Sequence, residues 1–252
     1  MESSTIKLST SAVLALAKLA KLALRAPYRG AGLNLRQVHL HAPARADKTA
    51  RWVATDGKVA IVAVFSAADL PGLERFDGFG VGEDTCARVA RAGPRAGRIS
   101  KDLEVELVYQ ERPQPEPVSF SVTVRDKAGA HVRPLERLFP IQAIKDYSRS
   151  IRDSKTLYRC GQYYAPDVID VALEIVAPWD NDGDAEPPFP AVARSGEAGV
   201  LLGHHGLKGA DQMVVAIVQP VHFPARDRQD PAPLFPELPG LQFETIKAVL
   251  DF

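Results

Sequence analysis

Cysteine is nearly absent from this chain: its 252 residues include only Cys86 and Cys160. That excludes a disulfide framework and a cysteine zinc site. Long apolar runs are missing too. No stretch reaches the ~18 residues a membrane-spanning helix requires, so no membrane partner is expected. The N-terminal segment MESSTIKLSTSAVLALAKLAKLALRA resembles a secretory leader only superficially. It opens acidic rather than basic and is broken by Lys18 and Lys21, which reads as an amphipathic helix of a cytoplasmic protein. Signatures of catalysis are lacking as well. There is no phosphate-binding loop, dinucleotide fingerprint or nucleophile elbow, so an enzyme is not expected and no cofactor is implied.

Net charge is also lacking, with 31 basic and 31 acidic residues. The zero hides a gradient. Residues 1–143 hold 21 Lys and Arg against 15 Asp and Glu, whereas residues 144–252 hold 10 against 16. Such asymmetry suits a polyanionic partner for the first half, and nucleic acid is the obvious one. What is present is ordinary for a soluble globular protein, at 46% hydrophobic and 25% charged. The length fits one large domain or two small ones, with a core of normal size.

Leucines among alanines from Ser11 to Ala26, stopped by Pro27, predict a helix. Lys18, Lys21 and Arg25 share one of its faces, opposite the apolar stripe. From Ser9 to Arg25 there is no Asp or Glu to neutralise them. A second helix is expected from Glu83 to Ala92, ending at Gly93-Pro94. With its exit loop it carries Arg88, Arg91, Arg95 and Arg98. These seven cations make a candidate surface for tracking a phosphate backbone without reading sequence.

Extended chain is expected at Leu33–His41, and the run Ala50–Phe65 reads as a hairpin around Asp56-Gly57. A Gly-rich connector spans Gly72–Gly82. Strands follow at Leu103–Tyr109, Val118–Val124 and His131–Phe139, and the polar stretch Lys145–Lys155 reads as an interdomain connector. A third helix, Ala165–Ala177, opens with Pro166 and has an acidic face of Asp167, Asp170 and Glu174. Strands near Ala191–Arg194, Gly199–Leu202 and Met213–Pro220 precede a Pro-rich tail, whose last part, Phe243–Phe252, suits a short helix. A helix followed by antiparallel strands, repeated, predicts an α+β fold with helices on one face of the sheets.

Three clusters invite a chemical reading and each has a plainer one. His204 and His205 have no third ligand at metal-binding spacing, and their flanking glycines suggest a hairpin turn. Asp180, Asp182 and Asp184 lack the glycine and glutamate positions of a calcium loop and read as solvated loop. Cys86, with no histidine beside it in sequence, reads as a buried thiol.

Val53–Ala60, VATDGKVA, resembles the Val-Ala-Thr-Asp-Gly-His-Arg-Leu signature of the bacterial replicative sliding clamp, the beta subunit of DNA polymerase III. Other landmarks come in that family's order. Leu35–Leu40 (LRQVHL) is similar to the strand before the signature, and Phe139-Pro140 to the Phe-Pro-Asp-Tyr segment closing the middle domain. Tyr163–Val176 is similar to a helix of the last domain, and Ala216–Val221 (AIVQPV) to the terminal Val-Val-Met-Pro-Met strand. The resemblance spans about residues 5–222.

It implies the DNA-clamp fold, with residues 1–144 similar to the middle domain, 145–222 to part of the last, and 223–252 a tail. It implies a processivity or repair accessory factor of the shortened kind carried by a phage, plasmid or other mobile element. Such a factor binds duplex DNA and assembles as a homo-oligomer, a dimer or trimer. It further implies a partner pocket for DNA polymerase or other clamp-binding peptides, drawing on Leu35, Thr55, Gly57, Lys58, Ala60, Pro140, Ile217 and Gln219. Lys58 and Ala60 replace the family's His and Leu, and Gln219 its Met, which makes the pocket shallower and more polar. The rival expectation is a clamp-fold interaction protein that binds a replication partner without encircling DNA.

Overall fold

The computed structural model describes residues 3–26, 35–44, 48–92, 103–111, 118–137, 157–159, 171, 172, 174, 189–193, 199–205 and 212–218. Two antiparallel sheets and two helices account for most of them.

Helix α1 (Thr10–Arg25) starts where Ser9, in extended backbone, accepts a hydrogen bond from the Ala12 N–H through its side chain. Helix α2 (Glu83–Ala92) begins with two acids and ends with Arg91, the arrangement that complements the helix dipole. The first sheet joins β1 (Ser3–Lys7), β6 (Glu104–Gln110), β7 (Ser119–Asp126) and β8 (Gly129–Pro134), in that order. The second sheet has nine strands. They are β2 (Val38–His41), β3 (Thr49–Thr55), β4 (Val59–Ser66), β5 (Phe79–Val81), β9 (Glu136–Arg137), β10 (Leu157–Arg159), β11 (Phe189–Ala193), β12 (Gly199–His205) and β13 (Gln212–Val218). Their spatial order is β10-β11-β12-β13-β4-β3-β2-β5-β9.

The seam of this sheet is the pairing of β13 with β4, Val214 opposite Ala63 through Val218 opposite Val59. It joins the two halves of the chain by backbone hydrogen bonds. The period-2 alternation of strands decides what lies on each face. Trp52, Ala54, Val59, Ile61, Ala63, Phe65, Val214 and Ala216 belong to the core shared with α1. The alternate residues Val53, Val62 and Val215 are fully buried yet stand outside that core, on the other face. Trp52 locks helix to sheet: its Nε1 donates to the Ala12 carbonyl at 3.0 Å, and its ring stacks on Phe65 at 5.8 Å. Ala172, from the second half, is buried in the same core.

Several expectations hold and several are corrected. Both helices form where the sequence places them, as does the hairpin around Asp56-Gly57. The strand expected from Leu33 begins only at Val38 among the described residues. The supposed Gly-rich connector contains a 3-10 turn, Leu73–Phe76, and strand β5. His204 and His205 lie in β12, opposite Met213 and Gln212, rather than in a turn. The Asp180–Asp184 loop, the expected connector at 145–155 and the tail from 223 lie outside the described residues. So does most of the third helix, of which 171, 172 and 174 are helical.

Candidate nucleic-acid interface and partner groove

The helical face is less cationic than the helical wheel suggests. Lys18 is the main correction: only 1% of it is exposed, so it does not stand on a solvent-facing ridge where a phosphate could reach it. Most of α1 is Ala, Val or Leu, and burial runs without a break from Ala12 to Ala20, with Lys18 inside the run. A helix apolar around most of its circumference is a core helix, and a lysine on it is taken in with the rest. Burial, followed by the nearby charge of Lys21, lowers the Lys18 pKa to about 7.

Other cations are held by acids of the same chain. Arg88 makes a two-pronged pair with Asp126 at the end of β7, Nε to Oδ2 at 2.7 Å and Nη2 to Oδ1 at 2.6 Å, and also donates to the Gly129 carbonyl at 2.9 Å. The hydrogen bond between them raises the Arg88 pKa and lowers that of Asp126. Arg25 reaches Glu174 of the acidic third helix at 2.9 Å. Arg36, which the sequence did not single out, pairs with Glu83 at 3.0 Å and donates to the Leu24 carbonyl, tying the end of α1 to the start of α2. Lys21 and Arg91 are exposed, and among the described residues no ion pair holds either. Arg95 and Arg98 lie outside the described residues.

The Val53–Ala60 signature, where the partner pocket is expected, forms a tightly bonded turn. The Asp56 carboxylate accepts from the N–H groups of Lys58 and Val59, both at 2.8 Å. Thr55 Oγ1 accepts from Gly57 N–H at 3.0 Å and donates to the Val59 carbonyl at 2.8 Å. Gly57 sits at φ 92°, where a side chain would be strained, and a Cβ there would come within 3.7 Å of Leu35 Cδ1. Thr-Asp-Gly is therefore a structural unit: each residue supplies one part of the turn.

Backbone register extends the site across the seam. Thr55 is opposite Ala60, and Ala60 is opposite Ile217, so residues from the two halves of the chain form one row on one face of the sheet. Of the expected pocket residues, Thr55, Ala60 and Ile217 are aligned by this register, Gly57 and Lys58 belong to the turn beside them, and Leu35 lies next to Gly57. Pro140 and Gln219 lie outside the described residues. Sequence reasoning missed His39, on the same face one strand further on. It is opposite Val53, and burial lowers its pKa to about 4, so it is neutral near pH 7. Cys86 is buried, with its pKa raised to about 12 chiefly by burial, which favours the neutral thiol.

No protein-family model and no curated protein matches the sequence. Solved structures do match by shape. The Helicobacter pylori beta clamp in complex with carprofen has a TM-score of 0.52 at 7% identity, over 87% of this chain and 67% of that one. The same clamp bound to a DNA ligase peptide has a TM-score of 0.51 at 8% identity, over 87% and 66%. The beta subunit from the DNA polymerase of Streptococcus pyogenes has a TM-score of 0.51 at 11% identity, over 88% and 66%. The chain thus spans about two thirds of the length of the clamps it matches. With helices on one face of antiparallel sheets and a sheet continuous across the seam, this chain has the fold of the bacterial DNA polymerase III beta sliding clamp.

Proposed function

We propose that this chain is a non-enzymatic, clamp-type accessory factor that binds duplex DNA without sequence specificity and serves replication or repair. The observation that carries the reading is the β4–β13 seam, which joins the two halves of the chain into one helix-backed sheet, the construction of a clamp. The helical face meets the duplex through Lys21, Arg25 and Arg91, with Arg95 and Arg98 as further candidates from the sequence, while Lys18 and Arg88 serve the fold. Contacts of this kind go to phosphates, and they position the protein without reading bases. In this reading the chain acts as a homo-oligomer. The row Thr55–Ala60–Ile217 is the groove where a polymerase or another partner docks a peptide.

Light scattering on a sizing column, combined with fluorescence anisotropy on two unrelated duplexes, tests this. A stable dimer or trimer that binds both duplexes alike supports the reading. A monomer at every concentration contradicts the assembly, and strong preference for one duplex contradicts backbone tracking.

A further inference from the structure

The two halves of the chain meet at the end of α1 as well as at the sheet seam. Lys21 and Arg25 are four residues apart on this helix, so they share one side of it, and both are exposed. Ala172, from the second half, is buried in the core that α1 helps to build, and Val171 packs against that core. This packing sets Glu174 beside Arg25, and Glu174 Oε2 accepts from Arg25 Nη2 at 2.9 Å. The side chains of Arg25 and Glu174 are 45% and 52% exposed, against 22% and 16% for Arg88 and Asp126. The Arg25–Glu174 pair is therefore the more solvated of the two and the easier to exchange. A phosphate arriving at Arg25 meets a guanidinium already engaged, with a carboxylate beside it that repels the newcomer.

Resting on the reading of the helical face as the duplex-binding surface, we infer that Glu174 is an internal competitor for duplex phosphate. It holds Arg25 in the free chain and releases it when DNA binds, so the second half of the chain limits the affinity of the first. The exchange breaks the Arg25–Glu174 hydrogen bond, forms one from Arg25 to a phosphate oxygen, and returns the Glu174 carboxylate to water. Neutralising Glu174 removes the competitor. For an exposed pair the gain in duplex affinity is about two- to fivefold, and it depends on Arg25 being present.

The test is anisotropy titration of a labelled duplex, at several salt concentrations, with the full chain as wild type, Glu174→Gln, Arg25→Gln and the double variant. Both positions are exposed, and circular dichroism confirms that the variants fold. The expected result is binding about two- to fivefold tighter for Glu174→Gln than for wild type. That gain disappears when Arg25 is also replaced, as a double-mutant cycle requires of two groups that interact directly. Equal or weaker binding by Glu174→Gln, beside a wild type that binds with steep salt dependence, overturns the competition and leaves the duplex reading in place. A gain that persists in the Arg25→Gln background overturns it too, because the effect then comes from overall charge instead of this contact. If wild type does not bind duplex, or binds without salt dependence, the duplex reading fails and this inference fails with it.

Discussion

The helical face and the Thr55–Val59 turn handle charge in opposite ways. On the helical face Lys18 is taken into the fold by burial and Arg88 by Asp126, while Arg25 pairs with Glu174 and stays exposed. In the turn the acid and the hydroxyl are engaged with the backbone, and the Lys58 side chain is left exposed. Counting charges along the sequence cannot separate these cases. Where each charge's partner lies decides whether it acts on the fold or on a ligand.

The largest effect is expected where helix and sheet are locked together. Trp52→Ala removes a fully buried ring and the hydrogen bond to Ala12, and should cost about 3–5 kcal/mol of stability. Urea unfolding followed by circular dichroism measures it. A loss below roughly 1 kcal/mol, the scale of a minor substitution, would mean that α1 is not held as described.

Lys18 sharpens the comparison through pH. Its folded-state pKa, about 7, lies below the ordinary 10.5. Between those values the unfolded chain binds more protons, so stability rises with pH across that window. The burial penalty is complete below about pH 7 and vanishes above 10.5. Lys18→Met should flatten the rise and add about 1–3 kcal/mol at pH 7, while leaving duplex binding unchanged. Urea midpoints taken across that pH window check the first part, and anisotropy checks the second.

Asp56→Ala removes two hydrogen bonds from the turn and should cost about 1–2 kcal/mol. Unchanged urea midpoints would show that the turn holds without its carboxylate. Asp126→Asn is the smallest change in stability, because the pair is partly exposed. It releases Arg88 and should strengthen duplex binding severalfold, erasing part of the contrast between the two sites. Weaker binding by this variant would mean that the pair organises the DNA-facing surface instead of withholding a cation from it.

Much of the fold is legible in local signals. The Asp56-Gly57 hairpin needs only its own residues, and α2 is bounded by its own acids and by Gly93-Pro94. Strand β1 escapes a local reading, because its partner β6 lies beyond both helices in the chain and only Ile6 of its side chains is buried. Strand β5 has three residues and depends on pairing with β2 and β9. Lys18 is misplaced by its spacing, which groups it with Lys21 and Arg25 without saying how wide the buried arc is. The density of Ala and Leu around the whole helix is the signal that could have shown it. The row Thr55–Ala60–Ile217 is reachable only through resemblance, since nothing local links β4 to β13.

Duplex DNA is expected to meet the exposed remainder of the helical face. The most direct test is the salt dependence of duplex binding for wild type and for the double variant Lys21→Glu/Arg91→Glu. Each phosphate contact contributes a log–log slope of roughly −0.9. A steep negative slope is predicted for wild type, shallower by about two in the variant, with much weaker binding. A wild-type slope near zero, or equal slopes for the two proteins, would contradict it.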